Sequence, residues 1–150
     1  MSIKFKQYDA KDDCYQHAWK LRQQVLRAPL DLSLTQQDRE NDLLCWHFGL
    51  FEDEKLIATV TVEFMARNKS SMQQVKLRQM VVLPHYQGQG LGQQLIKKTE
   101  QQLRQKSVSE IFLAARLPAV GFYQKLGFIV QGDVYHHLRI DHQDMRKSLS

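Results

Sequence analysis

A chain of 150 residues, 43% hydrophobic and 25% charged, has the size and balance of one globular domain with a real core. Its 21 Lys and Arg against 16 Asp and Glu give a net charge of +5, which favours anionic partners such as a phosphorylated cofactor. The charges are scattered and no basic run interleaves with aromatics, so a nucleic-acid partner is not expected, and no apolar run is long enough to suggest a membrane partner.

Residues 3–7 alternate apolar and polar side chains and predict a first strand. Asp12 and Asp13 then open a predicted helix carrying Ala18, Leu21, Val25 and Leu26, which Pro29 ends. Residues 30–41 predict a loop with a short helix, and 43–51 a buried apolar strand. The polar turn 52–55 leads into Leu56, Ala58, Val60, Val62 and Phe64, a period of two that marks a strand. A polar connection, 66–71, precedes a strand at 74–83. Leu91, Leu95, Thr99 and Leu103 recur every four residues and define one face of a helix, with Lys97, Lys98, Arg104 and Lys106 weighting its C-terminal half. A strand at 108–114, a short helix at 119–126 stopped by Gly127, and a hairpin of 128–130 with 135–140 complete the pattern. The expected fold class is α/β: one domain over 1–150, a mixed and mostly antiparallel sheet in its first half, with about six to seven strands and about four helices. The N-terminus lacks the apolar core and cleavage site of a leader. Cys14 and Cys45 form neither a disulfide framework nor a metal site. A soluble protein of the reducing cytoplasm, without a metal, is expected.

The informative stretch is Val81-Val82-Leu83-Pro84-His85-Tyr86-Gln87-Gly88-Gln89-Gly90-Leu91-Gly92. A β-branched strand enters a glycine-rich turn that opens a helix, whose first N–H groups lack intrahelical partners and sit at the positive end of its dipole. Glycine lets a phosphate approach the main chain closely. A nucleotide P-loop requires Gly-Lys-Ser/Thr, but Gln93 and Gln94 follow Gly92. The dinucleotide fingerprint needs a third glycine where Gln93 stands.

Gln87-Gly88-Gln89-Gly90-Leu91-Gly92 after an apolar-apolar-Pro strand end resembles the pyrophosphate-binding signature of the GNAT superfamily of N-acetyltransferases. Ala119-Val120-Gly121-Phe122-Tyr123-Gln124-Lys125-Leu126-Gly127-Phe128 resembles that family's second signature, at a separation of one helix and one strand. Leu21-Arg22-Gln23-Gln24-Val25-Leu26-Arg27 and Ile140-Asp141-His142-Gln143-Asp144-Met145 resemble a subgroup of uncharacterised acetyltransferases. Asp141 stands where the subgroup has proline, and Arg116 where the family often has asparagine.

The resemblance implies a GNAT fold, acetyl-CoA as cosubstrate and direct transfer of its acetyl group to an amine, from a small molecule or a peptide. A homodimer is common among such proteins. It also implies that the main chain of Gln87, Gly88, Gln89, Gly90, Leu91 and Gly92 holds the pyrophosphate, that Met80, Val81 and Val82 flank the thioester with the Val82 N–H as oxyanion donor, and that Tyr123 protonates the leaving sulfur. Lys125 is a candidate for a CoA phosphate. His142 is the first candidate base, because imidazole titrates near neutrality. Glu63 could instead act through water or bind a cationic amine, and His47 and His85 are also available. Arg22 and Arg27 either cover the acceptor site or decorate a helix. The alternative is a sensor module that binds acetyl-CoA or CoA without transfer.

Overall fold

The computed structural model describes residues 2–65 and 73–149, so the polar connection expected at 66–71 lies outside the described residues. Seven strands form one sheet in the order β1-β2-β3-β4-β5-β7-β6. They are β1 (Ile3–Tyr8), β2 (Trp46–Glu52), β3 (Lys55–Phe64), β4 (Gln73–Val82), β5 (Val108–Arg116), β6 (Ile129–His137) and β7 (Ile140–Ser148). Four helices flank them: α1 (Tyr15–Arg22), α2 (Gln36–Asp42), α3 (Leu91–Gln105) and α4 (Val120–Lys125). The α/β class and the mixed sheet match the expectation. β1 to β4 pair antiparallel, β4 and β5 pair parallel, and β7 inserts antiparallel between β5 and the edge strand β6.

Alternation along the strands builds two apolar layers. Phe48, Leu50, Val60, Val62, Val75 and Leu77 point to the face covered by α3, where Leu91, Leu95, Ile96 and Leu103 are buried against them. The opposite face carries a smaller cluster of Tyr8, Phe51 and Leu56 under Tyr15 and Ala18 of α1. α4 joins the α3 face, where Tyr123 belongs to the larger core. The α3 repeat expected from sequence is therefore its buried stripe. Glu100 on the same helix is buried too, because Lys147 Nζ of β7 reaches both carboxylate oxygens at 3.0 and 3.1 Å.

Three expectations are corrected. Leu43 and Leu44 are exposed turn residues rather than strand, because α2 runs to Asp42, started by a capping box between Thr35 and Asp38. The first helix does not run evenly to Pro29. α1 widens after Arg22 into a π-helical stretch, Gln23–Arg27, followed by a 3-10 turn at Ala28–Leu30. The terminal hairpin is not 128–130 with 135–140. Residues 129–130 and 135–137 belong to the single strand β6, interrupted by a bulge between Gln131 and Tyr135 at Gly132, and its partner is the polar strand β7, which begins at Ile140. The hairpin turn itself is Leu138-Arg139, both at positive φ (50° and 65°). Such a turn normally uses Asn or Gly, so nothing in its composition marks it.

Candidate functional site

The sheet parts in the middle. β4 and β5 pair only from Gln73 with Val108 to Leu77 with Leu113. Past Leu77, β4 bulges: Thr61 faces Arg78 and Thr59 faces Val81, with Gln79 at φ 54°. An extra residue there bends the strand and sharpens its twist, and the two parallel strands separate. Between them opens a cavity of about 430 Å³, reached by Tyr123 and Ala119 from the α3/α4 face and by Leu26 and Arg27 from the α1/α2 face. The cavity thus passes through the sheet.

On the α3/α4 face, Tyr123 is 8% exposed and packs edge-on against Phe122 and Phe128, at ring distances of 5.0 and 5.6 Å. Its hydroxyl has no hydrogen-bond partner among the described residues, and burial pushes its pKa up to about 12. Both packing and a cavity-lining position therefore apply to this residue. In the loop before α3, Gly88 and Gly90 hold φ of 80° and 78°, and a Cβ on either would meet nothing within 4 Å. Gly90 caps the 15-residue α3 from the left-handed region, and the first-turn N–H groups from Leu91 onward have no acceptor within the helix. A Cβ at Gly92 would instead press on Phe122 at 3.3 Å, so that glycine serves close packing of α3 on α4.

The side chains of the loop have other tasks. Gln87 Nε2 donates to Val82 O at 2.9 Å, bracing the turn, while Leu91 is buried in the core. Leu83 N–H donates to Ile57 O of β3 at 2.8 Å. Successive N–H groups of a strand point to opposite edges, so Val82 N–H faces away from β3, towards the gap. Met80 lines the cavity and Val81 is buried. Lys125 is exposed on α4 and does not line the cavity.

The α1/α2 face is charged. His142 of β7 is 8% exposed, stacks on Tyr135 and lies opposite Arg116 of β5. Its Nδ1 is 2.9 Å from Ile140 O, a contact that requires Nδ1 to donate and leaves Nε2 as the acceptor of a neutral ring. Burial, with Arg116 and His137 nearby, lowers its pKa, against a smaller upward pull from Ile140 O and Asp141, and favours that neutral form. Four cationic residues, Arg27, Lys76, Arg78 and Arg116, share the lining with His137 and His142. Behind them Arg22 is 1% exposed and is held by Asp42, with Arg22 Nη2 at 2.6 Å, by the Gln79 amide oxygen, and by the Tyr15 hydroxyl bonded to the same carboxylate.

Tyr123, His142 and Met80 are thus brought to one cavity, with the glycine loop at its side. Glu63 is not. Its carboxylate is taken by Arg78 Nη1 at 2.6 Å, one strand away from the gap, and it does not line the cavity. His47 is buried between Thr61 Oγ1 and Asp42 O, and His85 is exposed in the turn after β4, so neither joins His142. Lys76, Arg78, Arg116, Tyr135 and His137 were not foreseen as site residues. The i, i+2 spacing of Lys76 and Arg78 does announce two cations on one strand face, whereas Arg27 faces the cavity only through the π-helical stretch.

Residues 36–149 match the family described as "Acetyltransferase (GNAT) domain". Over 54 residues the chain is 48% identical to the uncharacterized N-acetyltransferase ycf52 of Pyropia yezoensis, a match spanning 36% of this chain and 31% of that protein. It is 25% identical over 136 residues to the uncharacterized protein YyaT of Bacillus subtilis, spanning 89% of this chain and 88% of the other. Its fold is similar to that of Arabidopsis thaliana Naa50 solved with the bisubstrate analogue CoA-Ac-MVNAL, with a TM-score of 0.79 at 18% identity over 99% of each chain. Among the described residues no helix is long and apolar enough to cross a membrane, and no group of three or more His, Cys, Asp or Glu is arranged to hold a metal.

Proposed function

The chain belongs to the GNAT acetyltransferase family, and on that premise we propose that it is an acetyl-CoA-dependent N-acetyltransferase that transfers the acetyl group by direct attack of an amine. One observation carries this reading: a cavity running through the parted sheet, with a tyrosine hydroxyl that has no partner among the described residues on one face and a buried histidine, its Nδ1 held by Ile140 O, on the other.

The residues present fit the cosubstrate. Gly88 and Gly90 leave open space where side chains would stand, and the N–H groups of α3 offer an anion site for the diphosphate, with Gln87 and Gln89 contributing main chain. When bound, acetyl-CoA supplies a thioester whose carbonyl carbon bonds to the amine nitrogen as the C–S bond breaks and its electron pair leaves on sulfur. His142 Nε2 accepts the proton that the amine gives up. Val82 N–H, on the parted main chain that runs from Met80 to Val82, donates to the carbonyl oxygen as charge builds there. The Tyr123 hydroxyl donates to sulfur. With a thiol near 8.5 and Tyr123 near 12, complete transfer of that proton is uphill by roughly 5 kcal/mol before the cosubstrate arrives. Tyr123 therefore acts first as a hydrogen-bond donor that stabilises the thiolate as it forms. Lys125 is left to a distal phosphate. A cytoplasmic protein without nucleic-acid or membrane partners completes the proposal, and the exposed Ile129, Val130 and Val134 on the edge strand β6 support a homodimer. The subgroup likeness of 140–145 accords with His142 as the base.

The decisive assay is thiol release from acetyl-CoA across a panel of small amines and peptides, with cosubstrate binding measured by calorimetry. Turnover is expected. Tight CoA binding with no turnover for any amine would favour the sensor alternative, and no binding at all would overturn both. Tyr123→Phe should lower kcat by about tenfold to a hundredfold while leaving acetyl-CoA affinity within about twofold. Unchanged kcat at saturation would remove Tyr123 from the chemistry.

A further inference from the structure

Arg27 and Arg116 stand apart from the other arginines of the α1/α2 face. Arg22 is neutralised by Asp42 and Arg78 by Glu63. Neither Arg27 nor Arg116 has a carboxylate within ion-pair distance among the described residues, and residues 66–72 contain no Asp or Glu. Yet Arg27 is only 9% exposed and both residues line the cavity. Burying a cation without a counter-charge is costly, and this fold compensates Arg22, its most buried arginine.

Both groups are aimed at the same point. Arg116 Nη2 donates to Leu26 O at 2.6 Å, and Arg27 Nη1 approaches that oxygen at 3.4 Å. One shared carbonyl satisfies a single N–H on each five-donor fork and brings the two planar forks together. No Asp or Glu lines the cavity. The complement of such a pair is an anion with at least two oxygens, which guanidinium groups hold in bidentate fashion.

We infer that the acceptor amine carries an anionic group, carboxylate or phosphate, held by Arg27 and Arg116 on the α1/α2 side of the cavity. This rests on the transfer reading above and names its substrate class. The anion is not the cosubstrate's diphosphate, because Gly88 to Gly92 belong to the opposite face and do not line this cavity. Arg116 lies opposite His142 in the β5–β7 register, so the anionic group sits beside the base and is joined to the amine by a short spacer. The same two charges lower the pKa of an amine held next to them, supplying the neutral nucleophile that attack requires. Polyamines and basic peptides meet like charge and are rejected.

The test compares kcat/KM for glycine, β-alanine and γ-aminobutyrate, each against its own carboxamide, and for phosphoethanolamine against ethanolamine, with spermidine as the polycation. At least one anionic amine should exceed its neutral partner by about tenfold or more, and the carboxylate and phosphate pairs tell the two groups apart. In Arg27→Gln and Arg116→Gln the ratio should fall towards one through KM, with CoA affinity unmoved, and Arg27→Lys and Arg116→Lys should restore part of it. Equal use of charged and neutral amines, preference for spermidine, or a ratio that survives in both Gln variants would overturn the inference. Should no amine turn over, the transfer reading fails separately, and calorimetry on the CoA-loaded protein decides: heat from β-alanine or phosphoethanolamine that is lost in Arg27→Gln retains the anion site, and no heat from any anionic amine overturns it.

Discussion

The two faces of the sheet meet the cavity with different chemistry. On the α3/α4 face one tyrosine hydroxyl lines it, and the other groups that face offers, the Val82 N–H and the N–H groups opening α3, are neutral main chain outside the lining. On the α1/α2 face they are side-chain charges: Arg78 is paired within the protein, while Arg27, Lys76 and Arg116 have no carboxylate within ion-pair distance among the described residues. Main-chain recognition depends on backbone shape and tolerates sequence change, so it suits a ligand that never varies. Side-chain charge is altered by single substitutions and suits a ligand that differs from one protein to the next. On the proposed reading, one domain would thereby combine a fixed cosubstrate side with a variable acceptor side.

The largest test of this contrast concerns the compensated pair. Asp42→Ala leaves Arg22 buried without its carboxylate, and denaturant unfolding should register a loss of about 3–5 kcal/mol. A loss below about 1 kcal/mol would mean that the Arg22 charge needs no internal partner, and the argument from the bare Arg27 and Arg116 would weaken with it. Next comes the base. His142→Ala should lower kcat/KM about a hundredfold. Because burial depresses the His142 pKa, the catalytically useful neutral ring persists above that lowered value and is lost as pH falls through it. The acid limb of the wild-type profile should therefore lie below about pH 6.5, and an identical limb in His142→Ala would move the base elsewhere. The smallest effect belongs to the main-chain side. Gly90→Ala meets no steric obstacle, so only its positive φ costs stability, about 1 kcal/mol. The added methyl stands where a phosphate would approach, and CoA affinity by calorimetry should fall several-fold. Unaltered affinity would put the diphosphate somewhere else.

The main-chain side was the legible one. Its signals are local: the glycines of the turn, the four-residue repeat of α3 and the position of Tyr123 all lie within short windows, and each element formed where its window placed it. The charged side depends on features that no window contains. Arg27 faces the cavity because α1 widens after Arg22, and Arg116 faces it because β5 diverges from β4 beyond Leu113. His142 sits in a strand whose polar sequence, Ile140-Asp141-His142-Gln143-Asp144, has no strand periodicity. It pairs as a strand because β5 and β6 supply partners on both sides. Glu63 illustrates the converse: a carboxylate on a well-marked strand looked available until Arg78 was found holding it.

The short parallel seam between β4 and β5 has a mechanical consequence. Cross-strand bonding that stops at Leu77 and Leu113 leaves the sheet as two plates fastened along part of one edge, β1 to β4 on one side and β5 to β7 on the other. Whatever lies in the wedge and bonds to the bare amides of β4 does the work of a missing strand. Filling it locks the plates together, so a molecule that occupies this slot also serves as a splint for the domain.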